Sequence, residues 1–186
     1  MTFFGGFVGG TVTFFIGQRL FLHKKYKNSM VPASIIFGGG IPLAHSIGRF
    51  ACTIDGCCYG KEIPADSPFY WMGIEFSTTP GVKVYPTQLW EAIFLLILAG
   101  ILITVAFKKD SLFTLPIYFM SYGFFRFMVE FVRGDHRGSF IPGLTPSQFW
   151  ALLLLLIGIV YFVLLLRSGK THLSDWDVDY QEKKAN

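Results

Sequence analysis

The chain has 186 residues, of which 52% are hydrophobic, 18% aromatic and only 15% charged. A water-soluble domain needs more charge than that to cover its surface, so the composition excludes one and makes lipid the solvent. The formal net charge of +4 sits in short basic loops and calls for no nucleic-acid partner.

A bilayer core of about 30 Å takes about 20 apolar residues to cross as a helix. Runs of that length predict an all-α, polytopic transmembrane bundle of about five spanning helices. The first run, Phe3 to Leu22, carries Gly5, Gly6, Gly9 and Gly10, where another helix can approach closely. The second, Met30 to Phe50, is weaker and is broken by Gly38, Gly39 and Gly40. An outer-side loop over 51–85 follows. The runs from Pro86 to Phe107, Leu112 to Phe131 and Pro146 to Leu166 are long, the middle one interrupted by polar residues. Residues 1–170 thus read as a transmembrane domain and 171–186 as a cytoplasmic polar tail, with Asp175, Trp176, Asp177, Asp179 and Glu182 facing solvent.

Cytoplasmic loops keep the excess of Lys and Arg. Lys24, Lys25 and Lys27 follow the first span, Lys108 and Lys109 the third, and Arg167 and Lys170 the fifth. These alternate loops are predicted to be cytoplasmic, which puts 51–85 and 133–145 outside. The apolar start lacks the basic leader of a cleavable signal peptide. Met1 sits directly at an outward-facing helix end, an arrangement that predicts missing upstream sequence or a different true start.

Cys52, Cys57 and Cys58 share the outer segment, and their odd number leaves at least one thiol free. A Cys52 disulfide with Cys57 or Cys58 is one reading, since exported thiols often pair. The C-x4-C-C spacing, even with His45, is not a standard zinc pattern, so no metal is expected, nor any other cofactor.

Ionisable groups in a span cost at least ~2.5 kcal/mol each, so their arrangement is informative. Tyr118, Tyr122, Arg126, Glu130 and Arg133 step by four, four, four and three, lining one helix stripe. Arg126 and Glu130 can pair there, leaving Arg133 to meet an anion; the plainer alternative is a structural ion pair with Arg133 snorkelling to the interface. At the end of the second span, His45, Gly48, Arg49, Gly56 and Gly60 read as a site loop: glycines allow tight turns, and the planar Arg49 fork suits phosphate. The third piece, Tyr85-Pro86-Thr87-Gln88-Leu89-Trp90-Glu91, is a helix entry with Gln88 and Glu91 on one face. It is echoed by Pro146-Ser147-Gln148-Phe149-Trp150, where Thr145 is a good N-cap and a capping role is the expectation. Together these residues predict a phosphate-binding pocket at headgroup depth, with a carboxylate or imidazole able to move a proton and an anionic phospholipid as the ligand.

The same motifs resemble those of the bacterial prolipoprotein diacylglyceryl transferases. The likeness runs in order through Gly5-Gly6-Phe7-Val8-Gly9, Gly48-Arg49 to Gly60, Tyr85 to Glu91, and Tyr122 to Arg133. It implies a multi-pass bacterial inner-membrane protein with an outward active face. Its reaction would transfer diacylglyceryl from phosphatidylglycerol to the lipobox cysteine thiol of a secreted preprotein, releasing glycerol phosphate. On that resemblance Arg49 and Arg126 bind the phosphate, Glu130 positions Arg126, and Tyr122 lines the pocket, with Arg133, Gln88, Glu91, Gly48, Cys52, Cys57 and Cys58 around the substrate.

This sequence departs from the family pattern at Phe4, where a histidine is expected before the Gly-Gly pair, and at Cys52 and Cys57, where an asparagine and an acid are expected. His45, one turn before Arg49, is then the best substitute base, against a packing role. Family members also carry further upstream helices, so a truncated product or a divergent branch is implied. Two other readings stay open. One makes Cys57 or Cys58 a covalent nucleophile of an acyl or glyceryl transferase, helped by a low-pKa thiol near Arg49; the other is a non-catalytic phospholipid-binding subunit. A transporter fits less well, because the polar groups cluster at one side.

Overall fold

The computed structural model describes residues 9, 10, 12–14, 16–22, 28, 30–133 and 144–176. Four long helices dominate: α1 Met30–Ile54, α2 Thr87–Lys109, α3 Thr114–Glu130 and α4 Pro146–Ser168. Ahead of them lies a π-helical turn, Gln18–Leu22, at the end of the first predicted span, much of which falls outside the described residues. The protein is an all-α membrane helix bundle. By length and composition α1, α2 and α4 can cross a membrane. The more polar α3 has 17 residues and rises about 26 Å, close to the same thickness.

Why these helices need lipid is plain on α2. Ala92, Leu95, Ala99 and Leu102 recur at three- and four-residue steps and are buried. The opposite face, with Ile93, Leu96, Ile97, Ile101 and Phe107, is equally apolar and exposed. In water that face would demand cover; in hydrocarbon it needs none. Leu95, Leu98 and Leu102 pack on Tyr118 of α3, and Phe94 stacks on Phe125 with centroids 4.1 Å apart. Helix α1 packs on α2 and α3, and α3 packs on α4.

The glycines of the second span do not break it. α1 runs unbroken through Gly38, Gly39 and Gly40, because a glycine without Cβ lets neighbours in: a Cβ on Gly38 would lie 2.5 Å from Thr114 Oγ1, and one on Gly39 2.6 Å from Ile103 Cγ1. α1 also extends one turn past Phe50, to Ile54, so Cys52 is helical and the loop that follows begins at 55 instead of 51.

That loop is a compact strap. Tyr85 N donates to Lys61 O, Ile63 N to Lys83 O, and Ile74 and Val84 exchange two backbone bonds. Gly60 wedges it against the bundle: a Cβ there would meet Val132 O at 2.8 Å and Thr87 Cγ2 at 2.9 Å. At the other end, Leu112 N donates to Thr171 O and Leu173 N to Asp110 O, so the first residues of the tail are stitched to the α2–α3 turn. Residues 177–186, with Asp177, Asp179 and Glu182, lie outside the described part, as do Lys24, Lys25 and Lys27.

Candidate active site

The antiparallel course of the chain brings the end of α1, the start of α2, the end of α3 and the start of α4 to one end of the bundle. Nearly every polar residue singled out in the sequence is there. Glu91, one turn into α2, has a side chain that is 1% exposed and is the hub. Its Oε1 lies 3.1 Å from Arg49 Nε and 3.7 Å from His45 Nε2 on α1, and accepts a 2.7 Å hydrogen bond from Tyr122 Oη on α3. The His45 and Tyr122 rings meet edge to face with centroids 4.8 Å apart. Ser46 fastens α1 to this point by donating to Ala92 O at 2.8 Å.

A second pair lies one helical turn along α3 from Tyr122. Arg126 Nη2 is 2.9 Å from Glu130 Oε2, close enough for strong charge attraction although poorly angled for a hydrogen bond. Glu130 Oε1 accepts from Thr145 Oγ1 at 2.9 Å. Thr145 also caps α4, its hydroxyl accepting from Gln148 N while Gln148 Oε1 accepts from Thr145 N. The two Pro-x-Gln starts therefore do different work. Gln148 closes a capping box, as the sequence suggests. Gln88 is fully buried, and among the described residues neither its amide oxygen nor its amide nitrogen has a hydrogen-bond partner.

Arg126 Nη1 and Glu91 Oε2 are likewise buried without partners. A buried polar group left unsatisfied costs about 1–3 kcal/mol, more when charged. With Glu130 Oε2 there are five such atoms at this end of the bundle, and a polar guest would satisfy them. Arg126 supplies the donor suited to an anion, Gln88 both a donor and an acceptor.

Arg133 lies just beyond α3, where Phe131, Val132 and Arg133 continue the turn by donating to Met128 O, Val129 O and Glu130 O. It is 7% exposed and has an interaction of its own, so it does not snorkel. Gly48 is an exposed residue within α1 with open space around it, and makes neither turn nor close approach. Those roles belong to Gly56, in the left-handed region at φ 65°, and to Gly60. Phe4 and the Gly5-Gly6 pair lie outside the described residues.

Cys52, Cys57 and Cys58 are free thiols beside this site. Burial, then hydrogen bonding to Cys58 and the nearness of the other thiols, pushes Cys57 up to about 12. That is the opposite of the activated thiol a covalent mechanism needs. Thr145 as a ligand of Glu130 and Ser46 as a fastener were not legible as site residues. For Thr145 the signal was a good N-cap following a loop; for Ser46 it was only adjacency to His45.

The sequence profile described as prolipoprotein diacylglyceryl transferase matches residues 1–164. The chain is 33% identical over 165 residues to the phosphatidylglycerol–prolipoprotein diacylglyceryl transferase of Clostridium tetani, covering 86% of this chain and 61% of that protein. It is 35% identical over 164 residues to phosphatidylglycerol–prolipoprotein diacylglyceryl transferase 2 of Clostridium perfringens, covering 86% and 60%. A Dehalococcoides mccartyi relative of the same name is 29% identical over 174 residues, covering 91% and 63%. The chain thus spans about three-fifths of the length of the curated relatives it matches. With the profile match reaching from the first residue through nearly all of α4, the chain belongs to the prolipoprotein diacylglyceryl transferase family.

Proposed function

We propose that this chain carries the phospholipid site of a phosphatidylglycerol–prolipoprotein diacylglyceryl transferase, working at the outer face of the bacterial inner membrane. The observation that carries the reading is that Arg126 Nη1 and the Gln88 amide, at the same end of the bundle, are buried without hydrogen-bond partners among the described residues. In this reading 1–170 form the membrane domain and 171–186 the cytoplasmic tail.

The substrates are phosphatidylglycerol and a secreted preprotein with a lipobox cysteine. Arg126 receives the phosphate, held at the right angle by Glu130, which Thr145 fixes in turn. Arg49 stands one site away, its charge balanced by Glu91. His45 takes the proton from the lipobox thiol, and Glu91 stabilises the imidazolium so formed. The thiolate attacks the terminal glyceryl carbon of the lipid, a thioether bond forms, and the carbon–oxygen bond to phosphate breaks. Glycerol phosphate leaves with the bonding electron pair, and the charge growing on its phosphate is met by Arg126 and then by Arg49. Tyr122 keeps Glu91 aimed at His45 and Arg49. Gln88, Arg133, Gly48 and the three cysteines border the lipid and the incoming peptide.

The raised Cys57 thiol speaks against Cys57 as a covalent nucleophile. The test uses membranes containing the protein, phosphatidylglycerol labelled in its diacylglyceryl group, and a synthetic lipobox peptide. Label should move to the peptide through a thioether, and not to a peptide with serine in place of cysteine. Retention of the lipid by the protein with no transfer would replace this reading with that of a lipid-binding subunit.

A further inference from the structure

The three cysteines are a C-x4-C-C set in sequence, yet they converge in space. Cys52 closes the last turn of α1, the chain reverses at Gly56, and Cys57 N donates to Cys52 O at 3.1 Å. Cys58 sits in the left-handed region at φ 65°, a conformation a non-glycine residue keeps only when its surroundings hold it there. The hold is visible: Thr87 Oγ1 donates to Cys58 O at 3.1 Å, and Gly60 N donates to Tyr85 O at 2.8 Å. As a result all three sulfurs lie within 4.8 Å of one another, each half-buried.

We propose that Cys52, Cys57 and Cys58 form a binding site for one soft, thiophilic metal cation, with monovalent copper the best match. Metal–sulfur bonds of about 2.3 Å arranged as a trigonal plane put the sulfurs about 4 Å apart, a small adjustment from the observed spacing. Thiolates select soft ions. Structural zinc takes four ligands, and among the described residues this group offers three, which favours an ion content with threefold coordination. Binding exchanges each sulfur-bound proton for a sulfur–metal bond, the protons passing to solvent, with no change of oxidation state. Although these cysteines border the proposed substrates, metal binding by them needs neither the phosphate pocket nor the transfer reaction, so either reading can fail without the other.

The experiment takes the full protein in detergent, reduced and then freed of reductant without oxygen. It is titrated with cuprous ion carried by a competing chelator, challenged with a maleimide for as long as the copper-free protein needs to take up three adducts, and weighed intact to count adducts. One equivalent of copper should protect all three thiols as a set, while magnesium, a hard cation, protects none. Cys52→Ser, Cys57→Ser and Cys58→Ser should each weaken copper binding by about tenfold or more. Because protection is read on the unmodified protein, a variant that fails to fold does not decide the outcome. Three adducts at full copper, protection of fewer than three thiols, protection by magnesium, or variants that bind like the parent would each overturn the proposal.

Discussion

Arg49 on α1 and Glu91 on α2 meet with Nε 3.1 Å from Oε1, at a place where α1, α2 and α3 all contribute a polar side chain to the same oxygen. The pair fixes three helices together and leaves the other oxygen of Glu91 without a partner.

Replacing Glu91 by Gln keeps the shape but removes the charge that balances Arg49. Breaking a buried pair from one side costs about 3–5 kcal/mol; the Arg49 side chain is 19% exposed, which places the expected loss near the lower end. Chemical unfolding in detergent should show Glu91→Gln destabilised by about 3 kcal/mol. An unfolding midpoint equal to that of the parent would mean that the hub is not holding the helices.

Thr145 joins a helix cap to the site. Thr145→Ala removes the α4 cap, worth about 1 kcal/mol, and also the hydrogen bond that orients Glu130 behind Arg126. Lipid transfer should fall together with stability, and Thr145→Ser should restore both. If Thr145→Ala loses stability but keeps full transfer, Glu130 is not positioned from α4.

The Cys57 thiol lies at about 12 against an ordinary 9.0, so the folded protein keeps its proton through a window in which the unfolded chain releases it. Stability therefore falls as pH rises from about 9 toward about 12. Alkylation at Cys57 in the native protein should be slow near pH 8 and gain speed only well above the ordinary thiol range. The rate at single pH steps, read by peptide mass, checks this; a rate profile centred near 9 would show an ordinary thiol.

Much of this was legible because intramembrane charges are costly and so must find one another. The spacing of Tyr122, Arg126 and Glu130 gave one stripe, and an acid at Glu91 on the same side demanded a partner. The glycines of α1 were misread because a helix-breaking tendency measured in water is reversed where a neighbour packs into the gap, as Thr114 does at Gly38. That α3 ends at Glu130, ahead of Arg133, was not legible, because a periodic pattern does not mark its own last turn. The convergence of Cys52 with Cys57 and Cys58 was hidden for a different reason: it depends on a reversal at Gly56 and a left-handed Cys58, neither of which leaves a mark in the spacing.

The claim on which the rest depends is that the unpartnered Arg126 Nη1 receives the phosphate of the lipid. The most direct measurement is the rate of labelled diacylglyceryl transfer from phosphatidylglycerol to a lipobox peptide by the parent, Arg126→Lys and Arg126→Ala. Loss of a donor aimed at developing charge predicts a fall of roughly a hundredfold or more for Arg126→Ala, with Arg126→Lys in between. Transfer by Arg126→Ala at the parental rate would contradict the account.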